Sequence, residues 1–153
     1  MSDFVSAWNA ALGRTADNTS FNALDDTAAD AARLGAGPCK FPQPKLGVIE
    51  LSGADAADFL HAQVSADCRA LPAGASLLTA WCSPKGRVLF LLRVVRGSAS
   101  WFLLLPRRQV ERCTKRLRMF VLRAEVSVTD RNEALTVIRT TGVDEPVPGA
   151  ISG

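Results

Sequence analysis

The apolar positions of the chain are arranged in two ways, and the change from one to the other outlines its elements. Leu46 to Leu51 is a short apolar run with the length and β-branched content of a strand. From Ala54 to about Asp67 the apolar residues fall into a helical stripe. Ala56, Phe59, Leu60 and Val64 recur at i, i+3, i+4 and i+8. Gln63 lies on this stripe, so the spacing predicts a glutamine that is buried and hydrogen-bonded, because an unpaired buried amide costs on the order of 1–3 kcal/mol. His61 falls off the stripe, toward the surface. Ser52 followed by Asp55 resembles a capping box.

Leu77–Cys82, Val88–Val95 and Trp101–Leu105 read as three strands of a meander. The middle one is apolar on both faces and should lie inside a sheet. Ser83-Pro84-Lys85-Gly86 joins the first two, with proline suited to the second position of a type I turn and glycine to its close. Pro106 opens a helix from Arg107 to about Phe120. Val110, Cys113 and Leu117 form its inner face, and Arg108, Arg112, Lys115 and Arg116 its outer one. Val126–Thr129 and Leu135–Arg139 read as two further strands. The order strand, helix, three strands, helix, two strands predicts an α+β two-layer sandwich. Its antiparallel sheet would carry both helices on one face, as a ferredoxin-like variant.

The flanks read differently. Residues 4–12 suit a short helix, and 13–45 are small, polar and rich in glycine and proline, as in an extended arm. The expected organisation is an N-terminal helix and arm over 1–45, a domain over 46–141 and an irregular tail over 142–153. The N-terminus has no basic region of a signal peptide, and the longest apolar runs, about six residues, are too short to span a membrane. A cytoplasmic protein without a membrane partner is expected.

Charge adds one feature. Residues 1–80 carry five basic and nine acidic side chains, whereas 81–139 carry thirteen basic and four acidic, a local net charge of +9. Such asymmetry suits a polyanion-binding surface or a solvated face. It makes RNA a candidate partner through the Arg108–Arg118 helix. That helix shows no aromatic beside its cations in sequence, whereas base recognition commonly uses stacking. The four cysteines, Cys39, Cys68, Cys82 and Cys113, have no Cys-x-x-Cys spacing, and His61 is the sole histidine. Neither a metal site nor a disulfide framework is expected. No catalytic triad, Walker A sequence or dinucleotide fingerprint is present. The segment with most chemical content is Cys82–Arg87, a tight turn that puts two cations beside a glycine and suits an anionic ligand.

Leu51–Leu60 followed by Gln63–Asp67 resembles the opening of the YgfZ and glycine-cleavage T-protein superfamily. That opening is a strand, Gly-x-Asp-Ala, a Phe-Leu-x-x-Gln helix and a Thr/Ser-x-Asp. The spacing to Lys85-Gly86-Arg87 matches the YgfZ branch, and the likeness runs to about Val128. The resemblance implies an N-terminal GcvT-like folate-binding domain, part of a three-domain fold around a tetrahydrofolate cavity. It also implies a role in assembling or repairing iron–sulfur proteins, which would be its clients, and a link to tRNA modification. The folate-facing positions it implies are Leu46, Gln63, Asp67, Lys85, Gly86, Arg87 and Phe90. The family's cysteine signature from the second half of such proteins is absent, and the chain contains no tyrosine. The chain therefore reads as an N-terminal portion that binds folate weakly. Phe90 and Leu91 stand where the aminomethyltransferase branch carries acidic residues. A hydrocarbon cannot act as a base or stabilise a cation, so no catalytic residue is expected. Leu46 replaces a tryptophan that some members pack against folate. An aminomethyltransferase-like enzyme and an RNA-binding module are the alternatives.

Overall fold

A computed structural model describes residues 39–141, with side chains from Pro42 to Thr140. Pro42–Arg139 lies within one compact unit. Its strands are β2 (Leu46–Ser52), β3 (Ser76–Cys82), β4 (Val88–Arg96), β5 (Trp101–Pro106) and β6 (Ser127–Asp130). Its helices are α1 (Ala56–Gln63) and α2 (Val110–Phe120), the latter entered through a 3-10 turn at Arg107–Gln109. A separate two-stranded ladder joins β1 (Cys39–Pro42) to β7 (Ile138–Thr141). The helix expected over 4–12 and the tail from Gly142 lie outside the described residues.

The five-stranded sheet has the order β3-β4-β5-β2-β6, antiparallel throughout. Alternation along each strand sorts side chains onto two faces. The inner face holds Ile49, Leu51, Trp81, Phe90, Leu92, Val94, Trp101, Leu103, Leu105 and Val128. Against it pack Ala56, Phe59 and Leu60 of α1 and Val110, Cys113 and Leu117 of α2. Both helices thus cover one face, as the periodicity predicts. The β5–α2–β6 unit brackets β2, as in a ferredoxin-like fold. The β2–α1–β3 crossover, however, passes two strands, β5 and β4, because the meander has three strands. That extra strand makes the sheet a variant.

Three local expectations need correction. Helix α1 ends at Gln63 because Val64 turns extended (φ −113°, ψ 160°). Val64 bridges Trp81, Ser65 N–H donates to the Ala80 carbonyl at 2.9 Å, and Ala66 N–H donates to Thr79 Oγ1 at 3.1 Å. The residues predicted to finish the helix instead pair along β3, which blunts an edge strand. Second, Ser52 and Asp55 form no capping box. Asp55 is the N-cap without a side-chain cap bond, and its Oδ2 accepts the Glu125 N–H at 2.7 Å. Gly53 (φ +121°) allows the 124–126 segment to come so close that a Cβ there would sit 1.9 Å from the Glu125 carbonyl oxygen. Third, Leu135–Arg139 is not a strand of the main sheet. Leu135 and Val137 pack instead on the outer face with Val48, Val95 and Phe102, and Ile138–Thr141 pairs with β1.

Candidate functional site

The hairpin between β3 and β4 closes as its sequence predicts. Gly86 N–H donates to the Ser83 carbonyl and Ser83 N–H to the Arg87 carbonyl, both at 2.8 Å. Gly86 takes φ +74° with open space around its α-carbon. This is a type I turn followed by a left-handed glycine, a common three-residue hairpin closure. The Arg87 N–H is also used, by Ser83 Oγ at 3.1 Å. The amides of Gly86 and Arg87 are therefore committed within the turn, and an incoming anion would meet the side chains of Lys85 and Arg87. Both residues are exposed, and neither forms an ion pair among the described residues.

A register shift between Trp81 and Cys82 sets the phase of β4 beyond the turn. Trp81 pairs with Phe90 and Cys82 with Val88, so Leu89 is the extra residue of a bulge. Phe90 then points inward and Leu91 outward. Phe90 is 1% exposed, 5.6 Å from the Trp81 ring. This corrects its expected place among ligand contacts, because exposing the ring would cost roughly 2–3 kcal/mol of core burial. Of the two hydrocarbons at the acidic positions, the accessible one is Leu91, 57% exposed.

Leu91 pairs with Ala80 on β3. Arg93 pairs with Leu104, so two residues along the register Leu91 is level with Pro106. Pro106 pairs with Leu46. Ala80, Leu91, Pro106 and Leu46 thus form one row across the outer face, at the end of the sheet that carries the Lys85–Arg87 turn. Leu46 is half-buried. Gln63 falls one residue before the Val64–Trp81 bridge, which brings it to the level of Cys82 beside that turn. Gln63 is half-buried rather than buried, and its amide has no hydrogen bond among the described residues. The short α1 explains the difference: its last turn leaves the sheet before the stripe is complete.

Asp67 lies apart from this group. It follows the 64–66 segment away from the turn, is 61% exposed, and accepts the Arg69 N–H at 3.0 Å. His61 is 31% exposed rather than free on the surface. Its Nε2 is 2.9 Å from Arg69 Nη2 and its Nδ1 3.2 Å from Asp67 Oδ1. Arginine only donates, so Nε2 accepts, while Nδ1 is buried without a hydrogen bond among the described residues. Asp67 is tied within the loop after α1 through the Arg69 N–H.

The basic helix also departs from expectation. Arg112 lies 5.2 Å from the Phe90 ring, and Arg116 lies 5.5 Å from Trp81 and 5.8 Å from Phe120. Aromatics therefore do stand beside its cations; two come from strands distant in sequence, and Phe120 closes the helix itself. Cys68 and Cys113 are buried free thiols and Cys82 is a half-buried one. Burial pushes the Cys113 thiol up to about 12, and burial with the Asp67 charge raises Cys68. No group of three potential metal ligands occurs among the described residues. No described helix is long and apolar enough to cross a membrane.

No family model matches the chain. The tRNA-modifying protein YgfZ of Colwellia psychrerythraea (strain 34H) is 32% identical over 98 residues, covering 64% of this chain and 30% of that protein. The aminomethyltransferase T of the glycine cleavage system from Bartonella henselae has the same fold over 69% of this chain and 29% of its own. The TM-score is 0.59 and the identity 17%. The chain is similar to the YgfZ protein in sequence over this stretch and to the aminomethyltransferase in fold. An uncharacterized protein of Haemophilus influenzae is 38% identical over 63 residues, 41% of this chain and 22% of the relative. Each match covers less than a third of the relative's length. Leu46 and Leu91 thus lie on the outer face at the end of the sheet that carries the Lys85–Arg87 turn, Gln63 closes the helix on the other face, Phe90 lies in the core and Asp67 in the loop after α1.

Proposed function

We propose that the chain is the folate-facing N-terminal portion of a YgfZ-like accessory protein that supports assembly or repair of iron–sulfur enzymes. The observation that carries this reading is the outer-face row of Leu46, Pro106, Leu91 and Ala80, at the end of the sheet whose β3–β4 turn carries two exposed cations, Lys85 and Arg87. A flat apolar strip suits a pterin ring, and the cations suit the carboxylates of its glutamate tail. Gln63 adds a half-buried amide at the edge. The sequence likeness to the Colwellia relative and the fold shared with the aminomethyltransferase support this reading. The hydrocarbon at Leu91 opposes one-carbon transfer, since the accessible position offers no base. A cytoplasmic location and iron–sulfur clients belong to the same reading.

Half of a cavity between domains leaves a ligand partly in water, and exposed cation–carboxylate contacts contribute about 0–1 kcal/mol each. Residues 1–153 are therefore expected to bind tetrahydrofolate at roughly millimolar Kd, near −4 kcal/mol. Anaerobic calorimetry with tetrahydrofolate tests this on the wild type and on Lys85→Ala/Arg87→Ala. Binding that weakens several-fold in the double variant supports the reading. Micromolar affinity unaffected by the double substitution, or by Leu91→Arg, would place any folate site elsewhere.

A further inference from the structure

On the opposite side of the sheet, α2 carries a second arrangement that the folate reading does not use. Arg108, Arg112, Arg116 and Phe120 follow one another at intervals of four. They form a row along the 3-10 turn and the helix, with successive members about 6 Å apart along the axis. The other cations of α2 are engaged. Lys115 Nζ pairs with Glu111 Oε1 at 2.6 Å, and Arg118 donates twice to the Val128 carbonyl, at 2.8 and 3.2 Å. Arg108, Arg112 and Arg116 have no carboxylate partner among the described residues, and the Nε of Arg116 is buried without a hydrogen bond there.

The aromatic groups under this row fix its geometry. Trp81 and Phe90 lie beneath Arg116 and Arg112, and Trp81 meets Phe120 edge-on at 5.8 Å. A guanidinium held over a ring keeps its N–H edges free for phosphate oxygens, and its rotamer entropy is spent before a ligand arrives. Phe120 differs from the two buried rings in being 44% exposed. Met119 and Leu122 beside it are 64% and 85% exposed, so the row ends in an apolar patch with an accessible aromatic.

We infer that the Arg108–Arg112–Arg116–Phe120 row is a binding surface for a single-stranded nucleic acid, with the arginines on successive phosphates and Phe120 stacking on an unpaired base. An acidic protein would use the cations and leave the aromatic end unexplained. A duplex would hide the base faces that Phe120 fits. The step of one helical turn is comparable with the phosphate repeat of an extended strand. Because the row belongs to the helix layer, this inference stands independently of the outer-face folate site.

Fluorescence anisotropy with labelled 12-nucleotide RNA and DNA of one mixed sequence tests it, alongside a polyglutamate peptide of equal charge. Each phosphate neutralised on a single strand contributes about −0.7 to the slope of log K against log salt. Arg108→Gln/Arg112→Gln, both exposed, should weaken binding and make the slope shallower by about 1.4. Arg139→Gln, outside the row, should leave it unchanged. Phe120→Ala should weaken nucleic-acid binding roughly tenfold at constant slope, without affecting the polyglutamate peptide. Arg116→Lys keeps the charge and removes the planar stack, so it should weaken binding while the protein stays folded by circular dichroism. RNA and DNA measured together show whether the sugar contributes to recognition of the shared phosphodiester chain. Absence of binding at low salt, an unchanged slope in the Arg108/Arg112 variant, or polyglutamate binding equal to nucleic acid and indifferent to Phe120 would overturn the inference.

Discussion

Gly53→Ala should destabilise the domain far more than an ordinary glycine substitution, because two costs coincide there. Gly53 has φ +121°, where an L-residue carries strain of about 1–3 kcal/mol. The new Cβ would also meet the Glu125 carbonyl oxygen at 1.9 Å and its carbon at 2.8 Å. Both are backbone atoms that cannot rotate aside, so the 124–126 segment must move. Its movement breaks the bond from Glu125 N–H to Asp55 Oδ2, 2.7 Å long, which contributes about 1 kcal/mol in an exposed setting. Together these give about 3 kcal/mol. For a domain of this size that shifts Tm by on the order of 15 °C. Gly86→Ala is the internal control. Gly86 has φ +74° with nothing within 4 Å of an added Cβ, so it should show strain alone, about 1 kcal/mol. Urea unfolding followed by circular dichroism compares the two, with Asp55→Ala alone and combined with Gly53→Ala. If the clamp is shared, the double variant costs less than the sum. Gly53→Ala within about 0.5 kcal/mol of Gly86→Ala would refute the steric account.

Two further outcomes rest on side-chain environments. Burial alone would raise the Glu50 carboxyl, but hydrogen bonds with Ser100 and Arg131 and the Arg131 charge outweigh it, leaving it below its ordinary value of 4.5. Its contribution is therefore present above pH 4.5 and lost as pH falls through the lowered folded value. Glu50→Gln should cost roughly 1 kcal/mol at neutral pH, with the difference from wild type vanishing in acid; a gap that persists at low pH would show that packing, and not the Arg131 pair at 2.6 Å, sets the loss. In a Cys39→Ser background, an aromatic disulfide reagent should modify one thiol rapidly, lost in Cys82→Ser. The raised, buried Cys68 and Cys113 should react only at the rate of unfolding, and rapid modification of either would contradict their burial.

The sequence was legible where one short segment determines its own geometry. The 83–87 turn is set by Pro84 and Gly86, and its hydrogen bonds form within five residues. The inner faces of α1 and α2 are likewise local, and both land on the same side of the sheet. It was less legible where a distant partner decides. Nothing near Asp55 announces that its carboxylate goes to the Glu125 amide seventy residues away instead of capping its own helix. Gln63 fits the stripe in phase, but the pairing of Ser65 and Ala66 with β3 ends the helix first. Leu135–Arg139 has strand composition, yet its two halves pack and pair in different places. The aromatics beside α2 were hidden for the same reason, since Trp81 and Phe90 reach Arg116 and Arg112 only through the sheet.

Phe90 and Leu91 are neighbours in sequence, yet each serves a different surface. Strict alternation from Val88, which faces outward opposite Cys82, would carry Phe90 to the outer face and Leu91 into the core. The extra residue at Leu89 reverses that phase. Phe90 joins Trp81 beneath the arginines of α2, and Leu91 joins Leu46 on the outer face. Exchanging the two residues, Phe90→Leu/Leu91→Phe, should therefore move the two binding activities in opposite directions. A leucine under Arg112 removes the ring that holds its guanidinium, so nucleic-acid binding should weaken several-fold, and the smaller core residue should cost about 1 kcal/mol of stability. A phenylalanine on the outer row offers a pterin an aromatic face worth roughly 0.5–1.5 kcal/mol, so tetrahydrofolate binding should tighten several-fold. Deleting Leu89 is the control. The ladder then closes with Phe90 still opposite Trp81, so both activities should survive with the protein folded by circular dichroism. Parallel loss of both activities in the folded exchange variant would show that Phe90 and Leu91 do not act on separate faces.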